Sequence, residues 1–430
     1  ALAQKGAEGI KTANLKGSDV SLMNNHDPAS ELANFDLLPG YQANLFAAEP
    51  MFANPIHMMW DSKGRLWVAC SWAYPQLKPG EQANDKIIIL EDTDDDGKAD
   101  KSTVFADGLY LPTGIELANG GCYIAQSPDV FFFKDTDGDD VADVKEVALT
   151  GFGIEDSHHS ISAWRRGPGG WIYFQEGIFL HTQVETQYGV VRNFNGGVYQ
   201  FNPRTQKLKM FVRGTGGNPW GHVFDRWGQS FMVNNPRILY LSPASGASSE
   251  PPRLPPLIST EKQCGGDLVT GTHLPEELQG QLLTGRFKSR AIIRYEFIEN
   301  GAGFSANVLP PLISSRHPNF RPVDCKIGPD GAVYVADWYN SIINHAQHNF
   351  RDSRRDHEHG RIWRITHKNR PLAKKPKLVG ESIGALLDHL KSPNAWTRHQ
   401  ARKELSERDP DAVLKATEAW AAQLNSTDAG

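Results

Sequence analysis

Cysteine is scarce: Cys70, Cys122, Cys264 and Cys325 are the four in 430 residues, far apart and with no CxxC pair. That excludes the usual zinc spacings and a CxxCH attachment site for c-type haem in this chain. Cys70, Cys122 and Cys325 sit in or beside apolar, strand-like segments and read as small buried side chains rather than nucleophiles. Long apolar runs are missing too: none approaches the roughly 18 residues that span a bilayer, so no transmembrane segment is expected. Neither charge sign dominates. A net charge of −5 and a pI near 6.3 give no field that would favour nucleic acid or an anionic membrane as partner. The chain begins at Ala1 without methionine, as after removal of an export signal or from a recombinant start; a periplasmic or otherwise exported location is the expectation.

Abundant instead are the residues of tight turns and short strands: 40 glycines, 27 prolines and 20 phenylalanines, with 11 each of tryptophan and tyrosine. Six segments share one pattern, a glycine after a turn, an apolar or aromatic run, then small or polar residues. They are GRLWVACS from Gly64, GCYIAQS from Gly121, GWIYFQE from Gly170, GQSFMVNN from Gly228, GQLLTGR from Gly280 and GAVYVADW from Gly331. The glycine-to-glycine steps are 57, 49, 58, 52 and 51 residues, enough for four short strands and their connections. That is one blade of a propeller. A helical reading fails, because β-branched and aromatic residues cluster in short runs bounded by glycine. The pattern predicts an all-β, six-bladed β-propeller over 35–367, preceded by a polar N-terminal arm, 1–34. From about Glu381 the period becomes helical, in SIGALLDHLKS and AWTRHQARKELSER. Residues 381–425 look like the first unit of a HEAT-type repeat. Such a unit cannot bury its own face and must pack on further repeats or on the propeller.

Two acidic loops carry a cation-binding spacing. DTDDDGKAD places Asp92, Asp94, Asp96 and Asp100 at positions 1, 3, 5 and 9, with glycine at 6 and the carbonyl of Lys98 available at 7. DTDGDDVAD repeats this with Asp135, Asp137, Asp139 and Asp143, the Val141 carbonyl at 7 and Glu146 at 12. There the glycine has moved to position 4 and Asp140 takes position 6, which weakens the turn argument. The alternative is a solvated acidic turn. Bound calcium would pin the hairpins of the blades, since no catalytic partner lies in either loop.

In a propeller the segments entering the innermost strands converge on one mouth of the channel. Here they are NPIHMM, LPTGIEL, DSHHSIS, GNPWGH, CGGDLV and FRPVDCK. His158 and His159, directly before an inner strand, are the acid/base candidates, though one of the two should be a buried, hydrogen-bonded loop residue. Asn218, Lys288 and Arg321 are candidates to meet an anionic ligand. His345, His348, His357 and His359 fall in one polar stretch, but their spacing matches no common metal site.

The motifs FDLLPGYQANLFAAEP, KIIILEDTDDDGKADKSTVFADGL, FFKDTDGDDVADVKEVALTGFG, NPWGHVFDRWGQ and FRPVDCKIGPDGAVYVADWYN resemble the membrane-bound-dehydrogenase-type propeller proteins of planctomycetes and verrucomicrobia. More distantly the chain is similar to soluble quinoprotein glucose and sorbosone dehydrogenases, six-bladed propellers that bind pyrroloquinoline quinone and calcium. That resemblance places the catalytic histidine on His159, a cofactor-contacting lysine on Lys288 and an arginine on Arg321. It departs at Gly217, where an arginine is expected. It implies oxidation of a sugar or other alcohol, with His159 as base, the quinone as hydride acceptor and a cytochrome c as electron acceptor. The cofactor calcium would be held by carbonyls around Asn218 to Asn235. The residues alone leave two other readings open: a carbohydrate hydrolase or lyase using the same histidines, and a non-catalytic module binding glycan or protein at the mouth.

Overall fold

The computed structural model describes residues 15–241, 257–259, 261–343 and 349–424. The chain forms a six-bladed β-propeller with a short helical part at its C-terminal end. Blade 1 comprises Pro55–Trp60, Leu66–Cys70, Asp85–Glu91 and Lys101–Leu109; blade 2 comprises Gly114–Ala118, Gly121–Gln126, Asp129–Lys134 and Val144–Thr150. Blade 3 is Ser162–Arg166, Ile172–Glu176, Gly197–Asn202 and Lys207–Arg213, with an inserted hairpin, His181–Thr186 and Gly189–Phe194. Blade 4 runs Asn218–Phe224, Ser230–Asn235, Arg237–Leu241 and Ile258–Ser259. Blade 5 runs Cys264–Leu268, Leu282–Arg286, Ala291–Asn300 and Gly303–Ser315, with Phe35–Leu37 added at its edge.

Every glycine-led segment of the repeat is the second strand of its blade. The reason is local. The first and second strands are joined by a turn that needs a left-handed residue. Gly64, Gly170, Gly228, Gly280 and Gly331 supply it at φ between +75° and +81°. In blade 2 the duty falls one residue earlier, on Gly120 at +69°. Apolar side chains of adjacent blades interleave. Between blades 1 and 2, Trp67, Ile87 and Phe105 pack on Leu117, Ile124 and Phe131. All four cysteines are free thiols and buried.

Blade 6 consists of Pro322–Ile327, Val333–Asp337, Arg361–His367 and, as its outer strand, Tyr41–Ala48 from the start of the chain. Tyr41 pairs with His367 and Ala48 with Arg361, antiparallel, so the ring is closed by strands over 300 residues apart. Helix α1 (Pro28–Leu32), capped by the Asp27 carboxylate, sits against this seam. Its Glu31 and Arg361 of blade 6 are both fully buried and form an ion pair. Arg361 also donates to the His26 carbonyl, reaches Glu49 at 3.3 Å and stands 4.1 Å over the Tyr339 ring.

Three helices follow the propeller: α2 (Ile383–His389), α3 (Ala395–Ser406) and α4 (Pro410–Ala421). Helix α3 lies against the face of the ring where the inner strands end. Gln400 donates to the Trp60 carbonyl and accepts from Ser62, while Arg166 and Arg204 of blade 3 donate to Ser406. Two cavities result. An upper one of about 690 Å³ is ringed by the entry segments, and a lower one of about 750 Å³ lies between the strand ends and α3. They share a floor of His57, Trp164, Arg165 and Lys326. Two ion pairs hold it, Arg165 with Asp267 at 2.7 Å and Lys326 with Asp324 at 2.5 Å.

Candidate functional site

The two acidic loops occupy equivalent places, joining the third and fourth strands of blades 1 and 2. Asp92 accepts from the N–H of Gly97 at 2.9 Å, and Asp135 accepts from that of Asp140 at 2.8 Å. In both loops the carboxylate at position 5 accepts from the N–H at position 7, Asp96 from Lys98 and Asp139 from Val141, each at 2.8 Å. The displaced glycine now has a physical reason. Both loops take left-handed conformations at positions 4 and 6: Asp95 at +59° and Gly97 at +88° in one, Gly138 at +88° and Asp140 at +68° in the other. Aspartate tolerates that region, so glycine is free to serve at either place. Asp92, Asp94 and Asp96 bring ligand oxygens within 4.8 Å of one another, and so do Asp135, Asp137 and Asp139. Burial, then the neighbouring Asp96 and Asp95, push the Asp92 carboxyl above its ordinary range. Asp100 and Asp143 bond instead to the hydroxyls of Thr93 and Thr136, at 2.6 and 2.5 Å.

Glu146 stands apart from the group that Asp135, Asp137 and Asp139 form. It lies within the strand, paired with Phe132, beyond the Val144–Lys134 pair that begins the ladder. Each loop also stitches its blade to the preceding one. Ala99 donates its N–H to Phe46 of blade 6 at 2.7 Å, and Ala142 to Phe105 of blade 1 at 2.8 Å.

All six entry segments reach the upper cavity. Five of the six inner strands carry a bulge in their pairing with the second strand, and bulges re-aim side chains next to sites. His159 is 8% exposed and held on both ring nitrogens. Its Nδ1 lies 2.7 Å from the Ile178 carbonyl and its Nε2 3.0 Å from the Asn218 amide nitrogen. Lys262 Nζ donates to Asn218 Oδ1 at 2.7 Å. One assignment satisfies all three contacts: Nδ1 carries the proton, the Asn218 amide donates to the Nε2 lone pair, and Lys262 donates to the amide oxygen. The Asp156 carboxylate stands 3.7 Å from His159 Nδ1 and 3.4 Å from His158 Nδ1. His158 packs edge-on against Tyr74, with ring centres 5.2 Å apart.

Lys262, at the rim, folds its ammonium back over Trp220 at 5.7 Å. Burial and the nearby Lys288 lower its pKa. Among the described residues neither Lys262 nor Lys288 forms an ion pair, and Phe287, Trp338 and Tyr74 add aromatic walls. On the floor, His57 is driven down to about 4 by burial, Lys326 working against Asp324, and so stays neutral.

Arg321 does not face the cavity. It is fully buried, with its guanidinium donating to the carbonyls of Asn340, Phe287 and Ser341 at 2.7, 2.9 and 3.2 Å. It holds in place the loop that presents Lys288. Asn54, Asn218 and Arg321 occupy the same place in blades 1, 4 and 6, directly before a proline at the start of the inner strand. Asn54, too, is spent on backbone, the carbonyls of Trp338 and Asp356, so only Asn218 turns to the site. At Gly217 the backbone is left-handed, φ +65°, and a Cβ would stand 2.5 Å from Asn234 Oδ1; no arginine fits there. The Asn218 oxygens, among those expected to hold the cofactor calcium, already have partners. The Asn218 carbonyl accepts from Asn235 at 3.0 Å, and its side-chain oxygen already holds a cation, Lys262. A divalent ion beside that ammonium would meet like charge.

Of the four clustered histidines, His345 and His348 lie outside the described residues. His357 bonds the Trp72 carbonyl at 2.7 Å. His359 gathers with His26 and Asp356 into a group with metal-ligand spacing. The two imidazoles are stacked, with centres 4.3 Å apart and planes 7° from parallel. Ring-nitrogen lone pairs lie in the ring plane, so one ion cannot sit in both planes; this is a stacked, hydrogen-bonded tether of the arm.

Sequence reasoning missed Lys262, Trp220 and the paired floor. A lone lysine in TEKQCGG carries no motif, and only its meeting with Asn218, 44 residues away, gives it a place.

Comparison with known proteins follows the same lines. Residues 27–254 and 255–369 match a family described as "Domain of unknown function (DUF7133)". No curated protein sequence matches. Among solved structures, a putative oxidoreductase (glucose dehydrogenase) from Thermus thermophilus superposes with a TM-score of 0.50 at 15% identity, over 76% of this chain and 99% of that one. The holo form of the PQQ domain of pyranose dehydrogenase from Coprinopsis cinerea gives 0.49 at 11%, over 77% and 97%. The calcium-binding protein regucalcin from Agrobacterium tumefaciens gives 0.48 at 13%, over 78% and 98%. At such identities the likeness to solved structures shows the propeller fold. By its matched segments the chain belongs to the DUF7133 family.

Proposed function

We propose that the upper cavity is the active site of a dehydrogenase that oxidises a small alcohol, such as a sugar hydroxyl, with pyrroloquinoline quinone as electron acceptor. One observation carries the reading: a buried histidine, oriented on both nitrogens, stands in a cavity that also holds two lysines without carboxylate partners among the described residues. A planar tricarboxylate fits that lining, with Lys262 and Lys288 for its charges and Trp220, Phe287 and Trp338 for its faces. When bound, the quinone supplies the two-electron acceptor that the side chains lack. A substrate hydroxyl that displaces the Asn218 amide from His159 Nε2 meets an oriented lone pair, and the proton passes to that nitrogen. The imidazolium so formed is stabilised by Asp156 and by the Ile178 carbonyl. The neutral floor residue His57 adds no competing charge. A one-electron carrier such as a cytochrome c would be the partner that takes the electrons onward.

The test is reconstitution of the full chain with pyrroloquinoline quinone. Bound quinone is followed by its visible spectrum and turnover by dye reduction across a panel of sugars. Saturable binding with turnover is expected; failure to bind the quinone, with calcium in excess, would falsify the reading.

The acidic loops are assigned to structural calcium. At about a hundred times its dissociation constant, one such ion contributes about 2.7 kcal/mol of stability. Calcium added after chelation should therefore raise the unfolding midpoint, and Asp92→Asn with Asp135→Asn should abolish the gain. A midpoint indifferent to calcium would count against the assignment.

A further inference from the structure

The lower cavity is more basic than its surroundings explain. Eight arginine and lysine side chains line it against four carboxylates, in a chain whose net charge is −5. Those carboxylates are largely committed: Asp267 to Arg165, Asp225 to the N–H groups of Trp227 and Gln229, Glu116 to the backbone N–H of Arg166. The excess is concentrated where α3 faces blade 3, at Arg166, Arg398 and Arg402 with His399. Arg166 is 9% exposed; its Nη2 bonds Ser406, and its Nη1 has no hydrogen-bond partner among the described residues. Arg402, at the rim, forms no ion pair among the described residues. Burial, Arg402 and Arg226 lower the Arg398 pKa, and burial with Arg165 and Arg166 holds His399 neutral. Arg166, Arg398 and Arg402, gathered at a half-enclosed cavity with no ion pair of their own among the described residues, repel one another, and a multivalent anion would convert that repulsion into binding.

We propose that this cavity binds a small multivalent anion through phosphate- or carboxylate-type oxygens, held between Arg166 of blade 3 and Arg398 and Arg402 of α3. The site is separate from the upper cavity and does not depend on its chemistry. Its ligand would tie the helical part to the ring.

Isothermal titration of the full chain with inorganic phosphate and with citrate, against chloride at equal ionic strength, tests it. Saturable one-to-one binding is expected for at least one of the two anions. The double variant R398Q/R402Q should weaken it tenfold or more, and R166M should do so from the propeller side. Without the anion the double variant should melt no lower than the parent, since repulsion is relieved. Absence of saturable binding, or binding unchanged in both arginine variants, overturns the proposal.

Discussion

His159→Ala should lower kcat of the quinone-loaded protein by about 10²–10⁴-fold, the range for loss of a positioned general base. His159→Gln should do nearly the same, because glutamine keeps a hydrogen-bonding side chain but cannot take the proton. The effect should appear in kcat more than in KM, since Lys262 and Lys288 remain to bind anionic groups, and the acidic limb of the pH–rate profile should disappear. His158→Ala supplies the contrast. Its ring packs on Tyr74 and has Asp156 beside Nδ1, but it lacks the bond to Asn218 that orients a lone pair. A smaller loss is expected there. Turnover within threefold of the parent in both His159 variants would sink the mechanism.

The largest expected stability effect lies at the ring seam. Arg361→Met should cost about 3–5 kcal/mol, because it leaves Glu31, and Asp337 beside it, buried without their cation. Glu31→Gln should be far milder. Burial and Asp337 push the Glu31 carboxyl well above its ordinary range, so its ionised form is held at a cost that glutamine avoids. The sign of the pH dependence follows from that upward shift. The contribution is fully present below the unfolded-state pKa and is lost as pH rises through the folded one. The advantage of Glu31→Gln over the parent should therefore grow from pH 5 to pH 8 in urea unfolding. A cost below about 1 kcal/mol for Arg361→Met, within the range of exposed pairs, would refute the seam's importance.

The blades were legible because their signal is local. A left-handed turn needs glycine wherever the second strand begins, and that requirement recurs at a readable step. Both acidic loops were legible for the same reason, and even the misplaced glycine of the second obeyed a conformational rule that spacing alone concealed. The closing strand, Tyr41–Ala48, has an ordinary strand sequence, and its partner lies across the whole propeller, beyond any local pattern. The cavity divides similarly. Asn218 and His159 were found as neighbours of inner strands. Arg321 was misread because its place matches that of Asn218 while its surroundings do not: burial among three carbonyls turns an anion-binding side chain into a scaffold. In α3, AWTRHQARKELSER shows a polar face that periodicity assigns to water, yet part of that face closes the lower cavity.

Ring closure by Tyr41–Ala48 also sets a problem of order during synthesis. At ribosomal rates the strand emerges roughly 15–60 s before Arg361–His367, with both edges open to pairing with another nascent chain. Blade 1 shortens that wait. The Ala99 N–H binds the Phe46 carbonyl, and Asn44 donates to the Gly97 carbonyl at 2.8 Å, so the first acidic loop can grip the strand about 50 residues after it appears. A cation in that loop would then act as a holding clip early in folding, and translation in calcium-depleted medium should yield more aggregate than refolding of the finished chain.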